Sequence, residues 1–67
     1  MELIEKLSWG KLKKFIWDNK LEQTSGEIVF NNTEESYIFH PDRIGFDSNQ
    51  LRKIVKILDK VNKEASQ

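Results

Sequence analysis

The sequence predicts an α+β fold in the order α-β-β-α, one β-hairpin covered by two helices and completed by dimerisation. Three observations predict it: spaced apolar residues over 2–21, two β-branched and aromatic runs around a polar turn, and a capped amphipathic stretch over 47–64. The chain has 67 residues, so a single domain over 1–67 is the ceiling.

The first element reads as a helix over 2–21. Leu3, Ile4, Leu7, Phe15 and Leu21 cluster on one side of a helical wheel. Trp9, Leu12 and Ile16 cluster roughly 120° away. A break at Ser8-Trp9-Gly10 is the competing reading, with Ser8 capping a restarted helix. One helix, irregular near Gly10, is favoured. Its second apolar side then needs a partner, and Trp9, Leu12 and Ile16 are assigned to self-association.

The middle reads as a β-hairpin. Glu27–Asn31 and Ser36–His40 carry the β-branched and aromatic residues that strands favour. Thr24-Ser25-Gly26 ends the preceding helix region, and Asn32-Thr33-Glu34-Glu35 makes the turn. Pro41 stops the second strand because it donates no ladder hydrogen bond. Ile28 with Phe30, or Tyr37 with Phe39, meets the helices.

The last element is the clearest. Asp47 is the N-cap, with Gln50 at N3 in a capping-box arrangement. Phe46 and Leu51 form a hydrophobic staple, and Leu51, Ile54, Val55, Leu58 and Val61 make the apolar stripe, widened by Ile57.

A domain this small buries only about 60% of its unfolded surface. With no Cys and one His, disulfides, thiolate metal sites and an ordinary zinc site are out of reach, so no metal or cofactor is expected. A second copy is the remaining staple, and it would also pair the edges of a lone hairpin. No wholly apolar run exceeds three residues, as at Ile28-Val29-Phe30, against about 20 for a membrane span. The acidic start of the chain is unlike a secretory signal, which points to the cytoplasm.

Eleven basic and eleven acidic side chains cancel overall but not locally: the two ends are basic and residues 21–50 acidic. That balance disfavours a general nucleic-acid binder, which carries a basic excess. There is no nucleophile elbow, Gly-rich phosphate loop or paired-His motif, so catalysis is not expected; His40 beside Pro41 reads as a surface residue.

The expected function is therefore a protein–protein interaction module. Trp17, Tyr37, Glu34 and Glu35 are its candidate partner contacts, the aromatics as anchors and the acids as a negative patch. Two alternatives are an oligomeric nucleotide or small-ligand binder with a site between subunits, and a nucleic-acid-binding domain. Both would use Arg52, Lys53, Lys56, Lys60 and Lys63, which lie together on the last helix and otherwise read as a solvated face. Lys11, Lys13, Lys14 and Lys20 read mostly as solubility.

The stretch Phe46-Asp47-Ser48-Asn49-Gln50-Leu51-Arg52-Lys53-Ile54-Val55-Lys56-Ile57-Leu58-Asp59-Lys60-Val61-Asn62 resembles a capped helix found after a short hairpin in small phage accessory proteins. It covers about a quarter of the chain. The resemblance implies a phage or mobile-element protein that binds and inhibits a host factor, such as a defence protein. It carries no functional residue over to this chain.

Overall fold

The computed structural model describes residues 1–8 and 11–65, leaving aside the side chains of 6–8, 11 and 12. It is α+β, with four strands and one helix: β1 (Glu2–Ser8), β2 (Lys11–Asp18), β3 (Gln23–Asn31), β4 (Ser36–Pro41) and α1 (Ser48–Ala65). The strands form an antiparallel sheet in the order β1-β2-β3-β4.

The expected first helix is thus a pair of strands. Glu2 lies opposite Trp17, Ile4 opposite Phe15, and Ser8 opposite Lys11. The strand alternation is hard to read because the usual polarity of the faces is broken. On β2, Lys14, Ile16 and Asp18 point toward the helix and are buried. Phe15 and Trp17 point to the uncovered side. A polar pair inward and an aromatic pair outward hide the period of two. They leave an apolar residue at almost every helical phase.

Thr24-Ser25-Gly26 likewise does not end a helix but starts β3. Ile16 faces Gly26 and Trp17 faces Thr24, so Ser25 is an extra residue, a β-bulge. Its carbonyl accepts the Asp42 N–H at 2.9 Å. The hairpin at 27–40 forms as expected. Ile28 faces Phe39 and Phe30 faces Tyr37, so both expected pairs share the helix-covered side. Asn31 Oδ1 accepts the N–H groups of Thr33 and Glu34, each at 2.9 Å, and folds the turn.

The capping box of α1 is reciprocal. The Gln50 N–H donates to Asp47 Oδ1 at 2.7 Å, and the Asp47 N–H donates to Gln50 Oε1 at 2.9 Å. The stripe is rotated from expectation. Ile54 and Val61 are buried, with Ile57 and Leu58 packed beside them, while Leu51 is 48% and Val55 53% exposed. Phe46 turns to Phe39, at 6.1 Å between ring centres, and packs on the core.

The core is a single layer between α1 and one sheet face. Ile16 and Ile28 are its fully buried sheet residues, each worth about 1.5–3 kcal/mol in burial. Ile16 is therefore a core residue, not a self-association residue. Lys14 is also not a solubility residue: it is 7% exposed, bonded to Glu5 at 3.1 Å and set over the Tyr37 ring at 5.5 Å. At the outer edge, Asn62 acts as a substitute strand for β4. It accepts the Tyr37 N–H at 2.6 Å and donates to the Tyr37 carbonyl at 3.2 Å. That satisfies edge groups which would otherwise invite another strand.

Gly26 is required where the chain crosses under Phe39. A Cβ there would meet the His40 carbonyl oxygen and the Phe39 ring, both at 2.5 Å. Gly26→Ala is expected to destabilise by about 1–3 kcal/mol, measured by urea unfolding. An unchanged midpoint would show that both the Phe39 ring and the β4 backbone at His40 give way at no cost.

Candidate functional site

The sheet has one covered face and one open face. Alternation and register place Glu2, Ile4, Lys13, Phe15, Trp17, Glu27, Val29, Ile38 and His40 on the open one. Ile4 is 38% exposed, and Phe15, Trp17, Val29 and Ile38 are half-buried. Lys13, Phe15 and Trp17 form a row along β2, a central strand. Lys13 pairs with Glu27 at 3.8 Å. The register also sets Lys6 directly opposite Lys13.

A second region lies at the end of the sheet where β2 turns into β3. Here the Asp18 carboxylate, 4% exposed, ties three segments together. Oδ1 accepts the Lys20 N–H at 3.1 Å. Oδ2 accepts from Arg43 Nη2 at 3.0 Å and from Gln50 Nε2 at 2.9 Å. Arg43 also lies over the Phe46 ring at 4.7 Å. Burial pushes the Asp18 carboxyl up. The Lys20 amide, the Gln50 amide and the Arg43 guanidinium outweigh it, and the net shift is downward.

Beside this knot is a cleft of about 480 Å³ between the β2–β3 turn and the first turns of α1. Lys20, Arg52, Lys53 and Lys56 line it, with Asp18, Asp47, Asn49 and Gln50. Three of the five basic residues expected to meet a phosphate thus share a cleft. Lys60 and Lys63 stand further along the helix and do not line it.

The expected partner contacts are scattered. Trp17 is on the open face. Tyr37 is on the covered face, edge-on to Phe30 at 5.3 Å. Glu34 and Glu35 are exposed on the β3–β4 turn. Trp9 lies outside the described residues, as does the Leu12 side chain. Phe15 and Lys13 are not sequence candidates, because a helical reading of 2–21 sets Phe15 on the side opposite Trp17 and leaves Lys13 as a solubility residue. His40 is exposed on β4, and no group of three His, Asp or Glu among the described residues could hold a metal ion. Among the described residues no helix is long and apolar enough to cross a membrane.

No family model, no curated protein and no solved structure matches the chain.

Because the Asp18 pKa is lowered on folding, its contribution is full above the unfolded carboxylate value of about 3.9. It is lost as pH falls through the lower folded value. Asp18→Asn is expected to be less stable at neutral pH, with the gap to the parent protein narrowing below about pH 4. Urea midpoints from pH 7 to pH 2 measure it; a constant gap would mean that the charge of Asp18 is immaterial.

Proposed function

We propose that the protein is a single-stranded nucleic-acid-binding domain that uses the open face of its sheet. One observation carries the reading: Lys13, Phe15 and Trp17 follow one another along a central strand of a sheet face that no described element covers. Aromatic rings on an open antiparallel sheet are platforms for unstacked bases, and neighbouring cations take the phosphates. The neutral total charge weighs against a general nucleic-acid binder, so the reading rests on the aromatic row and not on net charge. The alternative first read from the basic helix keeps its ligand class but moves to the sheet.

Trp17→Ala is expected to weaken oligothymidylate binding by about 5- to 150-fold, corresponding to roughly 1–3 kcal/mol per stacked base. Lys13→Glu should weaken it and flatten its salt dependence. Fluorescence anisotropy with a labelled strand measures both. Equal affinity of the parent protein for duplex and single strand, or none for either at low salt, would reject the reading.

A second reading, the interaction module, is supported by the exposed flank of α1. Leu51, Val55, Leu58 and Asn62 follow one another along one side of the helix, and Asn62 anchors that side to β4. Leu51 and Val55 are half-exposed there, which suits a homodimer contact or a bound host protein, as for a phage or mobile-element inhibitor. Val55→Glu is expected to convert a dimer to monomer in analytical ultracentrifugation while leaving the circular dichroism unchanged. A parent protein already monomeric at high concentration would remove the dimer.

A further inference from the structure

The cleft beside Asp18 has the charge of an anion site. Four cations line it: Lys20 from the β2–β3 turn and Arg52, Lys53 and Lys56 from α1. Of its two acids, Asp18 is charge-paired with Arg43, and Asp47 keeps its charge while capping the helix, so the cations outnumber the unpaired acids four to one. Both Asp18 oxygens accept hydrogen bonds, one of them in an ion pair with Arg43, and Asp47 Oδ1 caps Gln50. Among the described residues, none of the four cations makes an ion pair. Arg52 donates to the Asn49 side chain at 3.2 Å. Four cations around one hollow repel one another, and a multiply charged anion relieves that repulsion.

Size narrows the class of anion. A volume of about 480 Å³ falls within the range of small-ligand sites and exceeds what a halide fills. A terminal phosphate monoester carries about −1.5 to −2 at neutral pH, enough to engage several of these cations at once. Position narrows it further. Trp17 and Asp18 are consecutive, one facing the open side and the other the cleft. A strand stacked along Phe15 and Trp17 would run off the sheet where the cleft begins.

We infer that this cleft binds a phosphate monoester, either the terminal phosphate of a single strand lying on the open face or that of a free mononucleotide. The strand-terminus source rests on the proposed function; the phosphate chemistry does not. Lys20, Arg52, Lys53 and Lys56 contact the phosphate, and Asp18 holds the turn and the helix at the spacing that forms the cleft.

The test is amide-resolved NMR titration with three probes: thymidine 5′-monophosphate, a 5′-phosphorylated oligothymidylate, and the same oligomer with a free 5′-hydroxyl. The monophosphate is expected to give saturable shifts at Lys20, Asn49, Arg52 and Lys53, beyond those from chloride at equal ionic strength. Lys53→Glu combined with Lys56→Glu should weaken it at least tenfold; both positions are exposed, so the fold should survive. A phosphorylated oligomer binding more than tenfold tighter than its hydroxyl twin identifies the strand terminus as the source. Equal oligomer affinities with an intact monophosphate response identify the free nucleotide. Monophosphate shifts no larger than those with chloride, or confined to the open face, overturn the inference. Trp17→Ala separates the two readings: it should weaken oligomer binding and leave the monophosphate response unchanged.

Discussion

The buried carboxylate of Asp18 is the constraint on which the rest of the arrangement depends. One side chain at the end of β2 receives the turn that follows it, the loop before the helix and the helix's first turn. Gln50 is the hinge of that arrangement, because the same amide that reaches Asp18 also closes the helix cap on Asp47. The start of α1 is thereby fixed to the sheet at one end. Asn62 fixes its far end to β4 through the Tyr37 backbone. Between these two polar anchors lies a core only one side chain thick, in which Ile16 and Ile28 meet Ile54 and Val61. Apolar packing holds the layers together, and the anchors decide how the helix is aimed across them. A buried carboxylate suits this task because its oxygens accept several directed bonds, whereas apolar contact is non-directional.

One helix covers one sheet face. That leaves a second face carrying two aromatic rings of a central strand, together with Ile4, Val29 and Ile38. Such a surface is unusual for a domain with so little core, and it gives the functional reading its basis. The open aromatic row and the basic cleft, on which the two proposals rest, both lie at the end of β2. They sit on opposite sides of the sheet because alternate residues of a strand point opposite ways.

The C-terminal half of the fold was legible in the sequence. Asp47 and Gln50 stand at capping-box spacing, and the two strands around the Asn32–Glu35 turn carry β-branched and aromatic residues at hairpin spacing. The basic residues of the helix were recognised as a group, though not the cleft that Arg52, Lys53 and Lys56 form with Lys20. The N-terminal half misled. Lys14 and Asp18 are buried while Phe15 and Trp17 face outward, so the alternation that marks a half-buried strand is inverted along β2. Leu3, Leu7, Phe15 and Leu21 then mimic a helical face. Lys13, Phe15 and Trp17 could have been grouped by a period-two reading of residues 11–18.

By itself the sequence determined what depends on neighbours along the chain: the cap and extent of the last helix, the β3–β4 turn held by Asn31, and the lack of any thiol. Tertiary structure decided which apolar residues are core and which are surface. Ile16 became core and Trp17 open face because β2 pairs with both β1 and β3, and only one side of that sheet receives the helix. Burying Lys14 and Asp18 required partners distant in sequence: Glu5 and Tyr37 for the first, Arg43 and Gln50 for the second. A polar residue's place in a fold is set by whether such partners converge on it, and local sequence cannot contain that information.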